Sequence, residues 1–343
     1  MPWAPSSSSP SPWTASSVRA ASAGRRAPRP HDEEVINVHD DVVLGIDLGG
    51  THLRLGLVDR NYQISQFEIR KTRELLQCGQ PVEQLVEAVR AYIADRLGDR
   101  MPSAVSIGFP STVDRTRRIV ISTPNIPGFD QQPVADLMEQ ALGVPVFVNR
   151  DVNFLMLHDL LAHGLEGQAV VLGFYVGTGF GNAVSLDGRL LTGKHGMAAE
   201  LGHVPLFRVR ERCGCGNEGC AETMASGLRL ERIQQERFPD VPLDELFVRH
   251  ASDPVLRQFV EDLSLPIATE INIFDPDCII LGGGILHMAG FPRDKLEAAI
   301  YQHARKPYPG LDYRIIYAAP SQESGVIGAG IYAFKRLQDP SYI

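Results

Sequence analysis

The sequence contains no long hydrophobic run, and this excludes a helix that spans a bilayer. It also lacks a basic surplus: 33 Lys and Arg stand against 41 Asp and Glu, for a formal net charge of -8. A protein that works by neutralising phosphate backbones carries the opposite balance, so nucleic acid is not an expected partner. Cysteine is scarce, five in 343 residues, so no disulfide framework can hold the fold. Three of the five, Cys213, Cys215 and Cys220, fall within eight positions. That is a metal-type cluster suited to a reducing compartment, and the expected location is cytoplasmic. What is plentiful is ordinary globular material. Hydrophobic residues at 44% and charged residues at 22% support sizeable cores and about two domains.

Residues 1–31 stand apart. They hold eight Ser, six Pro and four Arg with no acid, so they carry +4 and the remaining 312 residues carry -12. No apolar stretch among them could serve as a signal-peptide core. Residues 1–38 are expected to form a disordered extension. An organelle transit segment shares the same Arg- and Ser-rich, acid-poor composition.

Patterned sequence begins near Val42. Residues 42–48 read as a buried strand, Gly49-Gly50 as a tight turn, and 52–58 as a second strand, which together make a hairpin. A third strand is expected near 62–70, a helix over 83–97, a strand over 104–109, a helix over 134–142 and a strand over 144–148. The opening theme then recurs: strand 169–176, the turn Gly177-Thr178-Gly179-Phe180-Gly181, and strand 182–186. Helices follow near 225–237 and 254–275, then a short buried strand at 278–281 running into Gly282-Gly283-Gly284, a strand at 313–318, and an apolar small-residue helix from Gly325. A glycine-tipped hairpin in each half predicts two similar α/β domains facing each other across a cleft.

Five constellations could carry chemistry. Asp47-Leu48-Gly49-Gly50-Thr51 ends a buried strand with a carboxylate, two glycines and a hydroxyl. Glycines let backbone N–H groups approach an anion, and a carboxylate suits a hydrated cation. The segment 177–181 repeats the arrangement, and opposed glycine tips could hold one polyphosphate between them. Neither is a P-loop, because no Lys-Ser/Thr follows, and neither is a Rossmann fingerprint, because a strand follows each turn. Gly282–Gly284 could lie against a base or ribose, or could simply be a flexible connection. His203 with Cys213, Cys215 and Cys220 makes a Cys3His set for zinc; four protein ligands leave no open position, so the site is structural. Asp151 follows a strand and opens a helix, as a capping residue or as a general base at the cleft floor.

Together, the hairpin at 47–54, the Glu200-x-Gly-His203 segment and the Cys-x-Cys-Gly-x-x-Gly-Cys-x-Glu run of 213–222 resemble the ROK family of sugar kinases and repressors, over about residues 42–338. The resemblance implies the actin-like, ribonuclease-H-type fold: a small domain over 39–148 joined by the helix 325–338, and a large one over 149–324 carrying the zinc segment 200–222. It implies an ATP-dependent kinase of a hexose 6-hydroxyl, with Mg2+ and structural Zn2+. Asp151 matches the catalytic base. Arg150, Glu200, His203, Glu222 and Asn125 match positions facing the sugar. Asp47, Gly49, Gly50, Thr51, Gly177, Thr178, Gly179 and Gly181 match the phosphate loops, and Gly283 and Gly284 the adenosine side. Small molecules are the implied partners, together with a second copy in a homodimer.

The family usually places Asn before the catalytic Asp, where this chain has Arg150, and Gly at the position of Ser111. Segments such as Gly50–Arg54, Ile121–Asn125 and Asn272–Asp277 are similar to the D-allose kinases of the family, which makes D-allose the expected acceptor. A guanidinium offers donors only, so Arg150 would read a hydroxyl differently from an amide. Glucose or an N-acylmannosamine is the alternative. A sugar-responsive repressor would need a helix-turn-helix ahead of residue 42, where the sequence is Ser/Pro/Arg-rich. A sensor without catalysis would be expected to have lost Asp47 or Asp151.

Overall fold

In the computed structural model, which describes residues 41–76, 79–123 and 126–342, each glycine-tipped hairpin opens a five-stranded sheet. The expectations for residues 1–38 and for Asn125 lie outside the described residues. The first half runs β1 (Val43–Leu48), β2 (His52–Val58), β3 (Ile64–Lys71), α1 (Thr72–Leu75), α2 (Pro81–Leu97), β4 (Val105–Phe109), a ribbon of β5 (Thr112–Val113) and β6 (Val120–Ser122), α3 (Val134–Leu142), β7 (Val146–Arg150) and α4 (Asp151–Ala162). The second runs β8 (Val170–Val176), β9 (Phe180–Leu186), β10 (Arg189–Leu190), α5 (Gly227–Arg237), α6 (Leu246–His250), α7 (Pro254–Phe274), β11 (Cys278–Gly282), α8 (Arg293–His303), β12 (Arg314–Tyr317) and α9 (Ser324–Gln338).

The sheet orders are β3-β2-β1-β4-β7 and β10-β9-β8-β11-β12. Within each, the first strand pairs antiparallel with the second and parallel with the fourth. Both halves therefore repeat one topology, with a meander first and two parallel strands added beyond it.

Burial follows the strand period. Leu44, Ile46 and Leu48 of β1 join Leu85, Val89 and Ile93 of α2 and Met138 of α3 in one core. Val43, on the opposite face, packs with Val326, Ala333 and Phe334 of α9. In the second sheet Leu172, Phe174 and Val176 face helices α5, α7 and α8, while Val171 and Tyr175 face α4 and α9. Alternating residues point to opposite faces of a strand, so a strand buried on both faces reads as a continuous apolar run.

Helices α4 and α9 thus share a layer between the sheets. Small residues allow that close approach. A Cβ at Gly328 would lie 1.9 Å from the carbonyl oxygen of Phe154, and one at Gly45 2.3 Å from that of Val326. The small-residue face of the last helix is spent inside the fold, against β1 and α4. No helix among the described residues is long and apolar enough to cross a membrane.

Candidate active site

Parallel strands present their carboxyl ends together, and in open α/β sheets this edge is where ligands bind. Asp47 lies there at the end of β1, directly opposite Arg54 of β2. Arg54 Nη1 donates to Asp47 Oδ2 at 3.1 Å, and its Nε donates to Gln322 Oε1 at 2.8 Å. Burial raises the Asp47 pKa, and the guanidinium opposes that shift. The β1–β2 turn is closed by Gly49 N–H donating to the His52 carbonyl, and is tied to α1 by Thr72 Oγ1 donating to the Gly49 carbonyl at 2.7 Å.

β7 ends at Arg150, and Asp151 is the first residue of α4. The junction is fixed by Asn149, whose Oδ1 accepts from Arg150 N–H at 2.9 Å and from Asn153 Nδ2 at 2.8 Å. Asp151 Oδ1 accepts from Val152 N–H at 2.7 Å. Its pKa is pushed up to about 7, chiefly by burial and then by the charge of Asp47. Arg150 opposes this and Glu200 adds to it. Arg150 itself is buried: Nη1 donates to the Ala198 carbonyl at 2.8 Å, and Nη2 pairs with Glu200 Oε1 at 2.9 Å. Its donors engage the 198–200 backbone and a carboxylate, so Arg150 holds that segment beside Asp151.

The β8–β9 tip is pinned from below. Gly227 N–H and Leu228 N–H, at the start of α5, donate to the carbonyls of Gly177 and Thr178 at 2.8 and 3.1 Å. Glu222 Oε2 accepts from Phe180 N–H at 2.8 Å, and a Cβ at Gly179 would lie 2.4 Å from that same oxygen. A Cβ at Gly181 would lie 2.4 Å from Val152 Cγ1, so that glycine seats the first turn of α4 against the second sheet. Gly283 has φ +95°, and a side chain there would strike the Val176 backbone; the left-handed conformation and the close approach both require glycine.

The ligand atoms of His203, Cys213, Cys215 and Cys220 all lie within 4.8 Å of one another. His203 Nδ1 is 3.5 Å from Cys213 Sγ, and Cys215 Sγ is 3.6 Å from Cys220 Sγ. Tetrahedral zinc with bonds of about 2.3 Å needs donors about 3.7 Å apart, so the set fits. The other ring nitrogen, Nε2, faces Glu200 Oε2 at 3.8 Å. Glu222 Oε1 lies 3.9 Å from Cys213 Sγ, so one carboxylate spans from the thiol cluster to the glycine tip.

A cavity of about 280 Å³ opens between Asp47, Arg54, Gly283, Gly284, the loop through Gln322 and the start of α9. A Cβ at Gly325 would lie 2.9 Å from Asp47 Cγ, so the helix start is pressed against the carboxylate. Sequence reasoning missed Arg54, Gln322, Asn149 and Gly227. Only the first carried a signal, as a cation facing Asp47 across a tight hairpin.

A profile of the ROK family matches residues 43–336. The chain is 27% identical over 315 residues to a glucokinase of Thermotoga maritima, covering 86% of this chain and 98% of that one. It is 28% identical over 313 residues to an N-acetyl-D-glucosamine kinase of Photobacterium profundum, covering 85% and 99%. A ROK glucokinase of Streptomyces griseus, solved with glucose and AMPPNP, superposes with a TM-score of 0.71 at 26% identity, covering 84% and 98%. The actin-like α/β fold expected from the sequence is shared with these proteins.

Proposed function

This chain belongs to the ROK family, and from that premise we propose that it transfers the γ-phosphoryl group of ATP to the 6-hydroxyl of a hexose, with Asp151 as general base. One observation carries the reading. The pKa of Asp151 is pushed up to about 7 by burial, and the charges of Asp47 and Glu200 both add to the shift. The first carboxylate belongs to the glycine-lined cavity. The second is gripped by Arg150 and adjoins the zinc-set histidine.

The sugar's hydroxyls are held by Glu200, by His203 Nε2 and by Glu222. Asp151 accepts the 6-hydroxyl proton as that oxygen attacks phosphorus, and it needs a pKa near the working pH to do so. The rest of the work is positioning and stabilisation of charge. Backbone N–H groups of Gly50, Thr51, Thr178 and Gly179 face the polyphosphate, and Gly283 and Gly284 leave room for the nucleoside. Asp47 would hold hydrated Mg2+, which when bound neutralises the phosphate oxygens. His203, Cys213, Cys215 and Cys220 would hold Zn2+, which fixes the imidazole tautomer and ring plane.

The acceptor we propose is a glucose-type hexose, because Arg150 spends its donors on the 198–200 segment and on Glu200. D-Allose is the second reading, favoured by the Arg at this position and by the kinship of the flanking segments. A coupled assay with glucose, allose, mannose, N-acetylglucosamine and N-acetylmannosamine decides between them. Absence of turnover with every one of them would overturn the kinase reading.

A further inference from the structure

Among the described residues that line the 280 Å³ cavity, Arg54 is the one permanent cation. His287, also on the wall, is held towards its neutral form by burial and by Arg293. Arg54 already has a partner, since its Nη1 lies 3.1 Å from Asp47 Oδ2. It is held at a second point by Gln322, in the loop leading to α9. Its side chain keeps 20% of its exposure, so the guanidinium is not locked into the core. The cavity therefore contains a conflict. A carboxylate that is to hold a hydrated divalent cation carries a guanidinium on one of its two oxygens, and two cations on one carboxylate repel. The polyphosphate brings negative charge into the same space, where Arg54 is the nearest side chain able to answer it in a planar, two-pronged fashion.

Resting on the kinase reading above, we propose that Arg54 is a shuttling cation of the phosphate site. It neutralises Asp47 while the cavity is empty. When the metal–nucleotide enters, it turns to the phosphate oxygens and leaves Asp47 to the metal. The hydrogen bond to Gln322 Oε1 is the pivot, since it grips Nε and leaves both terminal nitrogens to exchange partners. Asp47 gains a cation as it loses one, so the partly buried carboxylate is never left unpaired.

Two measurements on the zinc-loaded, full-length protein test this, and they are expected to move in opposite directions. Mn2+ binding to the nucleotide-free protein, read by electron paramagnetic resonance, should tighten about tenfold in Arg54→Gln, because the competing cation has gone. Asp47→Asn should abolish that site, which locates it. Turnover of Arg54→Gln should fall about hundredfold with the sugar KM within about twofold, because stabilisation of the phosphoryl group is lost while the sugar contacts remain. Arg54→Lys, which keeps the charge without the fork, should recover part of the turnover and hold Mn2+ affinity near that of the unaltered protein. Unchanged or weaker Mn2+ binding in Arg54→Gln overturns the proposal, and so does normal turnover. If the unaltered protein phosphorylates no sugar, the kinase reading fails, while the Mn2+ comparison still decides whether Arg54 blocks Asp47.

Discussion

Asp151→Asn should separate stability from activity. The carboxyl group has a pKa of about 7 in the folded protein against 3.8 for the ordinary group. That gap is about three units, or about 4 kcal/mol at 1.36 kcal/mol per unit. It is an upper value, because the side chain keeps some access to cleft water. The sign follows from proton linkage. An acid with a raised folded pKa binds its proton more tightly in the native state, so the protein loses stability as pH rises from about 4 to about 7 and stays level above that. Asn cannot ionise, and its side-chain oxygen can still accept from Val152 N–H. The variant should match the unaltered protein near pH 4 and exceed it by up to about 4 kcal/mol at pH 8. Urea denaturation of the two zinc-loaded proteins across this range gives the difference directly, with effects common to both cancelling. Turnover should vanish in the variant while sugar affinity stays within about tenfold. A stability difference that does not change with pH would refute the account of the site, and near-normal turnover would remove Asp151 from its role.

Glu270 is buried, its Oε2 accepts from Asn182 Nδ2 at 2.8 Å, and burial raises its pKa to about 7 from 4.5. Glu270→Gln should therefore gain up to about 3 kcal/mol above pH 7 and nothing below pH 4, as read by denaturation against pH. Chelation of zinc should raise the sugar KM at least about tenfold and expose the 203–222 segment to protease, with both effects reversed by added Zn2+. Full sugar affinity in zinc-free protein would contradict the role given to His203. Gly328→Ala should cost about 3 kcal/mol or more in thermal or urea unfolding, because the new methyl group meets the Phe154 carbonyl at 1.9 Å with backbone on both sides.

Where one local rule decides, the sequence was readable. The period of two in β1 and the apolar face of α2 follow from residues a few positions apart, and the spacing of the thiols marks them as a candidate metal set. The duplicated hairpins were legible because glycines punctuate the chain between two apolar, strand-like runs in each half. What stayed hidden depends on contacts distant in sequence. The ribbon of β5 and β6 is too short to show any alternation. In α8, Leu296, Ala299 and Ile300 are the buried positions, too few to establish a helical period. The partner of Arg150 lies some fifty positions away, so its choice of Glu200 over a substrate hydroxyl is invisible until the second sheet is in place. Arg54 shows its meaning only when the hairpin register sets it opposite Asp47 and the loop before α9 brings Gln322 to it.

The position of Asp151 sets opposing effects against each other, and their sizes decide the outcome. At the first position of α4 it sits on the positive end of the helix dipole, which favours the ionised form by about 0.3–1 kcal/mol. The Val152 N–H and the Arg150 guanidinium act in the same direction. Burial and the two neighbouring carboxylates oppose them and prevail, since the pKa ends at about 7. Without the favourable set the group would stay protonated at physiological pH and could accept nothing. Without the unfavourable set it would be an ordinary carboxylate, too weak a base to draw a hydroxyl proton. In the proposed mechanism the first-turn position and the Arg150 pair thus matter as much as the carboxyl group. Arg150 meets both demands at once: it lowers the Asp151 pKa, and it anchors the Glu200 segment that the proposed mechanism sets against the sugar.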